Sequence, residues 1–168
     1  VDPARGPQAV ALQKWLRTRF AKNLRYDNLV GELLLTLGGD ELGPALYYQA
    51  NDLSPEKLAT NTAELFLGVH LHCAQCHDHP LADWKRSDFW GVAALLSGPP
   101  TKADKATPAP SIKPQDAEET YGAKLLWSDQ PLKEIPAEKS SRDLLAEWMI
   151  APQNPNFAAT AVNRIWQY

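Results

Sequence analysis

Both cysteines and all four histidines of this 168-residue chain fall within ten positions, in His70-Leu71-His72-Cys73-Ala74-Gln75-Cys76-His77-Asp78-His79. Such a concentration of thiol and imidazole points to one site that needs both. Its centre, Cys73-Ala74-Gln75-Cys76-His77, has the C-x-x-C-H spacing of covalent c-type haem attachment. In that chemistry the thiols of Cys73 and Cys76 add to the haem vinyl groups, and His77 becomes the proximal iron ligand. On a helix, positions i, i+3 and i+4 share a face, so all three side chains would point one way. The expected cofactor is therefore haem c, held by Cys73, Cys76 and His77.

Other chemistries use the same residue types. Cys73 and Cys76 could close a short disulfide or act as a reversible redox pair. Two cysteines and two histidines also suit zinc or iron. A closed tetrahedral site, however, usually draws its second ligand pair from a distant segment, and the chain has none. Buried thiols beside surface histidines would make the cluster purely structural.

The sixth iron position has several weaker candidates. His79 lies two residues past His77 and cannot easily reach the far side of the same ring. His70 stands seven residues before His77, about 10 Å along a helix, and His72 adjoins Cys73; either could serve a neighbouring haem or second metal. Met149, the one methionine, would give His/Met ligation or simply fill the core. A vacant sixth position would favour catalysis.

These ligands need a scaffold, and the pattern predicts a mainly α one: an irregular domain of about six helices with a Pro-rich linker. Val10, Leu12, Trp15, Leu16 and Phe20 trace a helical stripe over residues 8–23. Leu29, Val30, Leu33, Leu34 and Leu37 trace a second over 26–37, ended by Gly38-Gly39. Residues 40–52 read as a loop, with Tyr47-Tyr48 at a core edge. Ser54-Pro55-Glu56 is a strong helix start. From it Leu58, Thr62, Leu65, Phe66 and Val69 run toward Cys73, Cys76 and His77, so the motif is expected at the end of the third helix on its buried face. Pro80 limits continuation.

A short apolar helix follows over 89–97, stopped by Gly98-Pro99-Pro100. The stretch to about residue 115 is rich in Pro, Lys, Ala and Thr without periodicity, and 121–128 reads as a strand or extended arm. Ser140-Ser141-Arg142-Asp143 begins a helix, and 156–168 forms the last. The expected organisation is a haem-binding domain over 1–97, a linker and arm over 98–135, and a C-terminal helical pair over 136–168 that packs back on the first part.

Composition excludes several classes. Hydrophobic residues make up 44% and charged residues 22%, with a net charge of −3, so no broad basic surface exists for nucleic acid. No apolar run is long enough to span a membrane. Asp2, Asp27, Asp40 and Glu41 are scattered, and no Ser-His-Asp order or phosphate-binding glycine loop stands out. The chain opens on Val1-Asp2-Pro3 and stops at Tyr168 inside a helical pattern, which reads as a piece of a longer protein. Haem c is assembled outside the cytoplasmic membrane, so the motif implies a periplasmic or extracellular location.

The phrase from Phe66 to Pro80, followed by Trp84-Lys85 and Asp88-Phe89-Trp90, resembles the central signature of a planctomycete family of exported proteins of unassigned function, often joined to cytochrome c modules. Tyr26-Asp27-Asn28-Leu29-Val30 resembles the segment preceding that signature. Arg142–Trp148, Asn154-Pro155 and Val162–Gln167 resemble the start of the family's second conserved domain. The resemblance implies export, membership among c-type haem proteins and a trimmed chain. The leading function is then a monohaem electron-transfer domain, with redox proteins or neighbouring haem domains as partners. An open-coordination haem or non-haem metal enzyme is the alternative. A third is a haem-stacking assembly module in a homo-oligomer, with His70 and His72 acting between chains.

Overall fold

The computed structural model describes residues 6–35, 43–98 and 101–167. It is mainly α, with seven α-helices among those residues, and it is built as two compact units, Val1–Ser54 and Pro55–Tyr168. The Gly38-Gly39 terminator, Leu37, Asp2, Asp40, Glu41 and the Pro99-Pro100 stop lie outside the described residues.

The first unit holds α1 (Gly6–Ala21), α2 (Tyr26–Leu35) and α3 (Gly43–Ala50). Its core takes Leu29, Val30, Leu33 and Leu34 from α2, as the stripe predicts. On α1 the stripe is only partly used: Trp15 is buried, whereas Val10 and Phe20 are exposed. The expectation of a loop over 40–52 is corrected by α3. The glycine there is a packing device, because the Trp15 indole occupies the space a Cβ at Gly43 would fill. Tyr47 and Tyr48 are core residues of this unit, and the Tyr48 hydroxyl donates to Leu34 O at 2.5 Å. Arg19 joins α1 to α2 through Glu32 at 2.7 Å.

The second unit is organised around α5 (Arg86–Ser97), on which every residue from Asp88 to Leu96 is buried. A helix apolar all round must be covered on all sides. Helix α4 (Pro55–Thr62) packs on it with Leu58, Ala59 and Thr62 buried. Residues 98–135 include two antiparallel strand pairs, each two residues long: β1 (Thr107–Pro108) with β4 (Glu134–Ile135), and β2 (Ser111–Ile112) with β3 (Tyr121–Gly122). The β2–β3 pair lies on α5. At Gly91 the approach is close: a Cβ there would stand 2.5 Å from the Lys124 Cβ, and Lys124 N–H donates to Gly91 O.

Helix α6 (Ser141–Ile150) begins with a reciprocal cap between Ser140 and Asp143. Its Ser141 hydroxyl and Arg142 guanidinium donate to Leu95 O and Leu96 O, satisfying carbonyls at the end of α5. Helix α7 (Pro155–Trp166) packs on the π-turn Ala63–Leu67 that follows α4, with Arg164 donating to the carbonyls of Glu64 and Leu65.

Candidate functional site

The continuous helix expected from Ser54 to His77 does not form. After Thr62 the chain widens into the π-turn and then stops at Gly68, which takes φ +66° and donates its N–H to Ala63 O. That left-handed conformation favours glycine, and a Cβ at Gly68 would come within 2.8 Å of the Thr160 hydroxyl. Residues 68–71 carry no regular structure, and a 3₁₀ turn, His72–Gln75, then carries the motif.

The change of helix type changes which side the ligands face. In a 3₁₀ turn, residues three apart eclipse one another. Leu71 and Ala74 form the inner side, both fully buried, and the turn packs on α5. Cys73 and Cys76 form the outer side, and both are exposed free thiols. His77 is exposed as well. The motif thus presents its chemistry outward instead of on a buried helix face.

Helix α5 and the residues that lead into it fix the turn mainly through its backbone atoms. Gln75 O accepts from Trp90 Nε1 at 3.0 Å and from Arg86 Nε at 3.2 Å. The Asp78 carboxylate accepts from Arg86 N–H at 2.8 Å, and His79 N–H donates to Trp84 O at 2.8 Å. The second arm of Arg86 reaches Asp116 at 3.0 Å, 30 residues away. The cysteine and histidine side chains at 73, 76 and 77 are left out of this scaffolding.

His77 and His79 differ in tautomer. Nδ1 of His77 lies 2.7 Å from Asp78 O. A carbonyl can only accept, so in the neutral ring Nδ1 carries the proton and Nε2 keeps its lone pair, the form a metal-ligating histidine needs. Nδ1 of His79 instead accepts from Leu81 N–H at 3.1 Å, which puts the proton of the neutral ring on Nε2. His79 is thereby a loop residue in this arrangement.

The remaining candidates are dispersed. His70 and His72 are exposed, and His70 Nδ1 stands 3.9 Å from Glu64. Met149 is fully buried on α6 beside Leu145 and Ala146, as a core residue. Among the described residues no three His, Cys, Asp or Glu side chains converge as metal ligands.

Beside His77 lies an open cleft of about 540 Å³, bounded by Asp78, Arg86, Glu118, Glu119 and Tyr121. Burial raises the Tyr121 phenol above its ordinary pKa, and its hydrogen bond to Glu119 at 3.0 Å adds to this. The sequence pattern did not single out Arg86, Asp116 or Tyr121; no local spacing links three residues that only the β2–β3 region brings together. A porphyrin joined to Cys73 and Cys76 matches the donor types, the shared outward side and the His77 tautomer. The neighbouring cleft is polar and open, so it supplies no apolar wall.

A family model described as a protein of unknown function, DUF1549 (PSCyt2), matches residues 2–100, and the chain belongs to that family. No curated protein and no solved structure matches it. No helix among the described residues is long and apolar enough to cross a membrane.

Proposed function

We propose that this member of the DUF1549 family is a c-type haem domain that transfers electrons, with Cys73 and Cys76 as the thioether sites and His77 as the proximal ligand. The observation that carries the reading is the His77 ring: Nδ1–H bound to Asp78 O leaves Nε2 as a ready donor, next to two thiols on one exposed side. When bound, the haem supplies one-electron redox chemistry. The chain's own part is to hold the attachment turn still, through Trp90 and Arg86 on Gln75 O, and to fix the imidazole tautomer. The open, polar surroundings suit a redox group with an exposed edge that meets partner proteins. The reading carries a periplasmic or extracellular location with it, because thioether attachment takes place there.

Expression in a host that matures c-type haem tests this. A mass gain of about 616 Da, one haem, with the matching pyridine haemochrome spectrum is expected. Cys73→Ala with Cys76→Ala should abolish the gain, and His77→Ala should keep the thioethers but change the axial-ligand spectrum. A mature protein at the mass of the bare chain, or one holding zinc or iron instead, sinks the reading.

A further inference from the structure

Three indoles form a row on the second unit. Trp84 meets Trp127 edge to face at 5.4 Å between centroids, and Trp127 meets Trp148 at 5.7 Å with planes tilted by 36°. Trp127 is the unusual member. It is 51% exposed, and its backbone sits at φ +60°, a left-handed conformation rare for so bulky a residue. Its turn is held on both sides: Leu126 and Ala123 are buried, Ser128 N–H donates to Leu125 O at 3.2 Å, and Ser128 Oγ to Gln130 O at 3.0 Å. Burial does not account for a half-exposed tryptophan where glycine or asparagine would sit without strain. Strain of this kind concentrates at functional sites.

On one side of Trp127 opens a cleft of about 380 Å³, bounded by Trp127, Trp148, Gln153, Asn154, Pro155 and Asn156. None of its side chains is charged, and three are carboxamides. Asn154 caps α7 by accepting from Asn156 N–H at 3.1 Å. Its Nδ2, shielded from solvent, has no acceptor. The lining argues against ions: it holds no cation for a phosphate and no carboxylate for an ammonium group. It suits a neutral, flat ring with an apolar face for the indoles and hydroxyls for the carboxamides.

We propose that this cleft binds a neutral saccharide chain with equatorial hydroxyls, one pyranose ring stacking on Trp127 and its hydroxyls meeting the side-chain amides of Gln153 and Asn156. The proposal is independent of haem attachment. Calorimetric titration of the full chain with cellohexaose tests it. The wild type should bind with a Kd at or below about 1 mM. Trp127→Ala should lose at least about tenfold in affinity, Trp127→Tyr should stay within about threefold because the stacking face survives, and Gln153→Ala should weaken binding while leaving the fold intact. Circular dichroism of each variant separates lost binding from lost structure. If Trp127→Ala unfolds, the Gln153→Ala result decides alone. No heat from the wild type up to about 10 mM overturns the proposal, as does equal binding by wild type and all variants. Tetramethylammonium binding in place of cellohexaose also overturns it and makes the indoles a cation cage.

Discussion

The motif turn and helix α5 pack against each other but are built in opposite ways. Helix α5 puts every residue from Asp88 to Leu96 into the interior and is held by side-chain packing. The turn buries only Leu71 and Ala74, puts Cys73, Cys76 and His77 outside, and is held mainly through main-chain groups: Gln75 O and the N–H of His79. The lesson is a division of labour. Stability resides in residues with no reactive group, and the reactive groups carry almost no structural duty. Substitutions in the two regions should therefore have effects of very different size.

The largest effect is predicted at the centre of α5. Phe89 is fully buried and stacks edge to face on Trp90 at 5.1 Å. Phe89→Ala should cost about 3–5 kcal/mol, from lost burial and the cavity left behind, read as a shift of the denaturant midpoint. A cost under about 1 kcal/mol would mean that α5 is not the core of its unit. Next comes Gly68, where the chain turns out of the π-turn toward the motif. Gly68→Ala must place a Cβ at φ +66° and against Thr160, and should cost about 1–3 kcal/mol. An unchanged midpoint would show that the break before the motif does not depend on the left-handed residue.

A smaller effect is predicted for Asp143, at the start of α6 where that helix docks on α5. Burial opposes ionisation of its carboxyl, but hydrogen bonds from the Ser140 hydroxyl and N–H, with Lys102 at 3.3 Å, outweigh it and hold the pKa below the ordinary carboxylate range. A carboxyl depressed in the folded state adds stability above its unfolded pKa of about 3.9, and that stability is lost as pH falls through the lower folded value. Asp143→Asn should cost about 1 kcal/mol at neutral pH, as a weakened cap, and should flatten the fall in stability below about pH 4. An acid limb identical in wild type and variant would remove Asp143 from the account.

Much of this architecture is legible in local chemistry. Ser54-Pro55 and Ser140 with Asp143 mark helix starts because capping is a short-range interaction, and both helices begin there. The α2 stripe is buried as spaced because a helix of ten residues needs only one covered face. What escapes the sequence is set by distant partners. Helix α3 reads as a loop because its Gly-Pro start looks like turn chemistry, whereas Trp15 on α1 decides the role of Gly43. The run from Leu58 to His77 reads as one helix because its apolar spacing continues through Gly68, and Thr160 on α7 shares in setting that break. Of the motif, residue types and spacing are visible in the sequence. The outward side, the tautomers of His77 and His79, and the grip of Arg86 and Trp90 belong to the folded chain.

The smallest predicted effect bears most directly on the comparison. In protein made without haem maturation, Cys73→Ala with Cys76→Ala removes two exposed thiols that make no disulfide. Their neighbours Leu71 and Ala74 keep the buried side of the turn intact, and Gln75 O keeps both donors from α5. The double variant should therefore shift stability by less than about 0.5 kcal/mol, the range of ordinary surface substitutions. A loss of about 2 kcal/mol or more would place the thiols in the structural role and erase the division between turn and helix. A small shift leaves two reactive side chains held outward on a fixed turn with little part in stability, which is the property an attachment site requires.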